Sequence, residues 1–190
     1  MFSKKFKIGV FGSAAGTNVE SLKPLARKIG EEIAVRGGIL ISGATRGLPH
    51  EAALGAAEKG GMNIGFSPAI SLEEHLNKYK SPTDPYILIF TGMGQKGRNM
   101  ISTRTCDAAI FISGRTGTMS EFAMFYDDGE MGNVAGFLKG SGGVVDEYLT
   151  NFVKTTEKPS QVKIVIEEDP AKLVEKVFME LESERGDLRD

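Results

Sequence analysis

KIGVFGSAAGTNVESLKPLARKIGEEIAVRGGILISG, residues Lys7 to Gly43, decides the fold. KIGVFG is a short apolar run that ends in glycine and small residues, SLKPLARKIGEEIAVRG has helical spacing, and GILISG is a second apolar run. The reading is strand, loop, helix, strand, and the unit recurs. LPHEAALGAAEKGG follows, in which Pro49 suits the first helical turn and Gly60-Gly61 a C-terminal stop. MNIGFS (Met62 to Ser67) is a third strand. YILIF (Tyr86 to Phe90) precedes a glycine-rich loop and the helical segment Arg98 to Cys106, and DAAIFIS (Asp107 to Ser113) precedes GRTGT and a helix from about Met119 to Tyr126. NVAGFL, a helix around Val144 to Val153, VKIVIEE and a last helix from Pro170 to Glu184 complete the pattern.

Seven strands that alternate with helices and are continuously apolar imply a mainly parallel sheet covered on both faces. The fold class expected is α/β: one doubly wound, Rossmann-like domain spanning residues 1–190, with an insert at about 67–85. That insert, bracketed by Pro68, Pro82 and Pro85, carries a short helix around Leu72 to Lys78 and serves as a lid or a plain connection. The 190 residues, 41% hydrophobic and 25% charged, suit a single domain with a sizeable core. Charge is nearly balanced, 23 basic against 25 acidic residues, which argues against nucleic acid as the main partner. Cys106, the lone cysteine, permits no internal disulfide, and with two histidines no zinc-type spacing arises. A reducing cytoplasm is expected, without signal peptide or membrane span.

In such a sheet the ligand belongs at the carboxyl ends of the strands, near the reversal of strand order. The loops there are GSAAGTN (Gly12 to Asn18), GATRG (Gly43 to Gly47), TGMGQKGRN (Thr91 to Asn99) and SGRTGT (Ser113 to Thr118). Four glycine loops beside helix N-termini, with hydroxyls among them, favour a phosphate. Gly92, Gly94 and Gly97 match GxGxxG, yet the next strand ends in Ile112-Ser113 without the acidic residue that a dinucleotide ribose needs, so nicotinamide binding is disfavoured. A triphosphate P-loop is absent too.

Two charged residues stand out on this rim. Arg98 falls in the loop or first turn after the fourth strand, and Glu121 in the first turn of the helix after GRTGT. For Glu121 a capping box with Thr118 is the structural alternative. His50 reads as a bystander near a cap, His75 as an exposed residue of the insert, and Cys106 as an inert small hydrophobe. Phe122, Met124 and Phe125 read as core or subunit contact.

GRNMISTRTCDAAIFISGRTGTMSEFA, Gly97 to Ala123, resembles the core of the SLOG superfamily, which includes the LOG-type phosphoribohydrolases and the molybdenum-cofactor-carrier-like proteins. The LOG pattern pairs an Arg with PGGxGTxxE one strand later. The resemblance, spanning Lys7 to about Val153, places the catalytic Arg on Arg98, the GT on Gly117 and Thr118, and the catalytic Glu on Glu121. It further implies nucleotide contacts from Gly12, Ser13, Gly43, Gly47, Asn99, Gly114, Arg115 and Thr116, a homodimer, and no required cofactor. The chain departs from the pattern where Ser113-Gly114-Arg115 replaces PGG, so that Arg115 either reaches the phosphate with its guanidinium or changes what the pocket accepts. RN at Arg98-Asn99 and SE at Ser120-Glu121 replace RK and EE of the cytokinin-activating branch, and look closer to the carrier-like branch.

The activity implied is hydrolysis of the N-glycosidic bond of a nucleoside 5′-monophosphate such as AMP, giving free base and ribose 5-phosphate. The rival is a carrier that binds a nucleotide or pterin nucleotide without turnover, which needs the glycine loops but not the charged pair.

Overall fold

The computed structural model describes residues 5–16, 18–155 and 160–187, with side chains to residue 183. The strands are β1 (Lys7–Gly12), β2 (Ile39–Ser42), β3 (Met62–Ser67), β4 (Ile87–Phe90), β5 (Ala108–Ile112), β6 (Val134–Leu138) and β7 (Lys163–Glu167). They form one sheet in the order β4-β3-β2-β1-β5-β6-β7, every neighbouring pair parallel. The helices are α1 (Val19–Val35), α2 (Leu48–Glu58), α3 (Leu72–Asn77), α4 (Gly94–Arg104), α5 (Thr116–Asp127), α6 (Thr150–Thr155) and α7 (Pro170–Asp187), with one π-helical turn at Val145–Leu149 leading into α6. Among the described residues no helix is long and apolar enough to cross a membrane.

Burial on both faces explains why the strands read as unbroken apolar runs. In β5, Ala108, Ile110 and Ile112 face α1, α2 and α7, whereas Ala109 and Phe111 face the opposite layer. The first face is aliphatic and alanine-rich, with Ala26, Ile29 and Ile33 of α1 and Ala52, Ala53 and Ala56 of α2. The second is aromatic. Phe122 of α5 packs edge-on against Phe111 and Phe137, with ring centroids 5.5 and 5.4 Å apart, a favoured arrangement for aromatic pairs.

α1 and α2 lie unusually close because glycines line their contact. A Cβ at Gly30 would overlap the Ala52 carbonyl, and one at Gly55 the Arg27 carbonyl. Arg27 then bridges Glu51, at 2.9 Å, and Glu58 across the same contact. Both helices stop in the same way, through a left-handed glycine that lets two amides return to the last turn: Gly37 and Gly38 bond Ala34 and Ile33, and Gly60 and Gly61 bond Ala57 and Ala56.

Four sequence expectations change. α4 starts at Gly94 rather than near Arg98, because Gly92 and Gly94 adopt positive φ and turn the glycine-rich segment straight into helix. α5 starts at Thr116 rather than Met119, with Arg115 as its N-cap. His75 is not exposed but fully buried, since its two ring nitrogens bond Ser67 Oγ (2.8 Å) and the Pro82 carbonyl (2.9 Å) and so pin the insert to the end of β3. The last helix runs past Glu184 to Asp187.

Gly30→Ala is expected to lower stability by roughly 1–3 kcal/mol, because overpacking at the Ala52 carbonyl outweighs the helix-propensity gain of about 1 kcal/mol. Urea unfolding of the two proteins measures the difference; an unchanged or higher midpoint would contradict the close-packing account.

Candidate functional site

The strand order turns between β1 and β5, and their carboxyl ends open the crevice in which an open α/β sheet binds its ligand. The two loops are tied together there. The Gly114 amide donates to Ser13 Oγ (3.0 Å), and the Ser113 amide to Ser141 Oγ (2.8 Å), which in turn donates to the Leu138 carbonyl. The amides of Val144 and Val145 donate to the carbonyls of Gly114 and Ser113. Ser113 holds a φ of 54°, which a proline ring cannot adopt, so the replacement of Pro in the PGG pattern is built into the backbone.

Above this tie lies a cleft of about 510 Å³. Its walls are Gly12, Ser13 and Ala14 after β1, Thr45 after β2, Gln95, Lys96, Arg98 and Asn99 on α4, and Arg115 to Thr118 with Glu121 on α5. Among the described residues no N-cap side chain bonds the start of α1, α2, α4 or α5, the helices that start on this rim, whereas Ser71 caps α3 and Asp169 Oδ1 accepts from an amide in the first turn of α7. Uncapped helix starts offer free amides and the positive end of a dipole to an anion.

The cleft holds a buried ion pair. Arg98 is 5% exposed and Glu121 8%, and Arg98 Nη1 lies 3.3 Å from Glu121 Oε1. The same Nη1 donates to Asn99 Oδ1 at 2.8 Å. Arg98 Nε is buried without a partner. Since arginine only donates, the Asn99 atom facing it is the oxygen. Burial pushes the Glu121 carboxyl up to about 7, against the pull of Arg98 and Lys96; the same burial lowers the Arg98 guanidinium. A carboxyl that titrates near neutrality in a cleft is suited to proton transfer.

Glu121 lies in the second turn of α5, and Thr118 in the first, so the capping box that would explain Glu121 structurally does not form. Of the residues singled out in the sequence, Gly12, Ser13, Arg98, Asn99, Arg115, Thr116, Gly117, Thr118 and Glu121 line the cleft. Gly43, Gly47 and Gly114 do not line it, and each serves packing instead. A Cβ at Gly43 would strike the guanidinium of Arg98, one at Gly47 the backbone of Ser13 and Ala14, and one at Gly114 the side chain of Thr118. Gly43 is thus the platform on which Arg98 rests. His50 lies outside the cleft, its Nδ1 3.4 Å from the Tyr86 hydroxyl. Cys106 is buried, its thiol pushed up by desolvation. Sequence reasoning passed over Gln95, Lys96 and Thr45; only their position just beyond β4 and β2 marked them.

The family model described as the SLOG cluster4 family matches residues 5–174. An uncharacterized protein of Archaeoglobus fulgidus is 35% identical over 127 residues, covering 67% of this chain and 78% of its own. Among solved structures, TM1055 superposes with a TM-score of 0.75 at 21% identity, over 92% of this chain and 99% of the other. The molybdenum cofactor carrier protein of Chlamydomonas reinhardtii does so with a TM-score of 0.70 at 26% identity, over 94% and 99%.

The raised carboxyl has a measurable sign. Between the unperturbed value of 4.5 and about 7, native Glu121 keeps a proton that the unfolded chain releases. Stability from this group is therefore full below the lower value and falls as pH rises through the upper one. Thermal denaturation from pH 5 to 8 should show Glu121→Gln losing less stability with rising pH than the parent; parallel profiles would refute the assignment.

Proposed function

The chain is a member of the SLOG cluster4 family, and on that premise we propose that the β1–β5 cleft binds a nucleoside 5′-monophosphate and hydrolyses its N-glycosidic bond. The observation that carries this reading is the Arg98–Glu121 pair, buried yet lining the cleft. Burying two charges is costly unless geometry repays it, and one contact of 3.3 Å is not the two-point fork that best does so. A structural role alone explains the pair poorly.

The 5′-phosphate belongs at the start of α5, where the amides of Thr116, Gly117 and Thr118 head an uncapped helix and Arg115 adds a guanidinium. The Ser113 and Gly114 amides are already engaged, so Arg115 supplies what the missing glycine of the PGG pattern does not. The sugar then lies toward Glu121. Its carboxylate faces the oxocarbenium-like charge that develops at C1′ as the bond to the base lengthens. Among the described residues Glu121 Oε2 has no hydrogen-bond partner, and it is not sealed from the cleft, so it takes a proton from the attacking water. The water oxygen bonds to C1′, the C1′–N electron pair leaves with the base, and the proton passes on to the base. Arg98 holds Glu121 in place. Water is the only co-reactant, and no cofactor is required. A homodimer belongs to the same proposal, with the exposed Ile87, Ile89 and Phe90 of the edge strand β4 as the surface it would cover.

A second reading, carriage of a pterin cofactor without turnover, is favoured by the 26% identity to the Chlamydomonas carrier. Incubation with a panel of nucleoside monophosphates, with base and ribose 5-phosphate followed by chromatography, separates the two. Release is expected from the parent and loss of roughly 100-fold or more in Glu121→Gln, with nucleotide binding retained. Binding of a nucleotide or pterin with no release in either protein would establish the carrier.

Two further outcomes follow from the geometry. kcat/KM should rise with pH through a limb near 7, because the ionised Glu121 is the active form; a flat profile over pH 5 to 8 would exclude Glu121 as base. Gly43→Ala, which drives the Arg98 guanidinium off its platform, should lower kcat by about 100-fold, and a rate within twofold of the parent would show that Arg98 placement is unimportant.

A further inference from the structure

We propose that Asn99 is a positioning residue: its side-chain oxygen holds the Arg98 guanidinium turned so that only Nη1 reaches Glu121, leaving Glu121 Oε2 free in the cleft. The inference rests on the reading of Glu121 as the working carboxyl and adds how this chain keeps it available.

The geometry is specific. Arg98 Nη1 donates one hydrogen to Asn99 Oδ1 at 2.8 Å and the other to Glu121 Oε1 at 3.3 Å. The shorter bond goes to the neutral amide and the longer one to the opposite charge, the reverse of what charge alone dictates. Left to itself, a guanidinium turns two parallel N–H groups toward a carboxylate. Here it is held against doing so from two sides, by Asn99 at its edge and by Gly43 against its plane. Asn99 is buried, and its main-chain carbonyl, not the side chain, accepts from Ser102 Oγ (3.0 Å) and Thr103 Oγ1 (2.8 Å). The Asn99 side-chain oxygen, on a buried residue of α4, is therefore a stop at the edge of the guanidinium. A lysine at this position, as in the RK pattern, offers no acceptor and sets no such stop.

The charged and titratable groups that face Glu121 are Arg98 and Lys96 from α4 and Arg115 from the start of α5. The residues of the β1 and β2 loops on the cleft, Gly12, Ser13, Ala14 and Thr45, carry none. Behind α4, the Cys106 thiol is pushed up and stays neutral. Asn99 acts on Glu121 only through Arg98.

The test follows the Glu121 side-chain carboxyl by carbon-13 NMR in the ligand-free protein, labelled on glutamate and assigned with Glu121→Gln. Asn99→Leu removes the stop, lets Arg98 fork onto the carboxylate, and should move the titration midpoint of Glu121 down by about one pH unit. Asn99→Asp keeps the acceptor and adds a negative charge, and should leave the midpoint unchanged or move it up. A fall in Asn99→Leu with the Asn99→Asp midpoint unmoved or raised supports the assignment. An Asn99→Leu midpoint that does not fall, or midpoints that fall in both variants, overturn it. If Asn99→Leu does not fold, Asn99→Ala, which also lacks the acceptor, takes its place with the same expected fall and the same overturning result. The measurement needs no turnover, so loss of the hydrolase reading and loss of this one are separate results.

Discussion

Everything at the rim is arranged around one awkward fact, a carboxylate and a guanidinium placed largely out of water and joined by a single contact. Such a pair is a poor device for holding a fold together, because the desolvation of two ions is repaid only by close and complete hydrogen bonding. Its upkeep is visible elsewhere. Gly43 gives up a side chain to seat the guanidinium, Asn99 bonds its edge, and the start of α5 carries Glu121 into place one turn beyond the helix end that faces the cleft. Three points of the chain thus support one single-contact ion pair on the wall of the cleft.

The sheet was legible in the sequence for a physical reason. Strands covered on both faces need apolar residues at every position, so KIGVFG, GILISG and DAAIFIS stand out as unbroken runs, and the glycines at the ends of α1 and α2 mark where helices stop. Legibility failed where a helix begins in glycine. Nothing local distinguishes a loop TGMGQKG from a helix starting at Gly94, since the difference lies in two positive φ angles and the burial of α4 against α5. His75 was misread for a related reason: a polar side chain becomes a core residue only when distant partners, here Ser67 and Pro82, meet both of its nitrogens.

At the site itself, residue types were readable and tasks were not. Arg98 and Glu121 could be picked out from position after β4 and β5, as could Arg115 as a departure from the glycine pattern. That Gly43 supports Arg98, that Gly47 makes room for the Ser13 backbone, and that the Gly114 amide is consumed by Ser13 are contacts between segments tens of residues apart. A glycine in a rim loop looks the same in sequence whether it approaches a ligand or another loop. Family resemblance supplied the pairing of Arg98 with Glu121, while the one-point geometry of that pairing belongs to the structure.

The close approach of α1 and α2 through Gly30 and Gly55 bears on how the crevice can move. These helices carry the β1 and β2 loops, and with Arg27 clamped between Glu51 and Glu58 they share one interlocked surface. Packed backbones of this kind shift as a unit rather than bend. Ser13, Ala14 and Thr45 thus stand on one interlocked layer, and the Ser13 hydroxyl ties that layer to the Gly114 amide on the other side of the crevice.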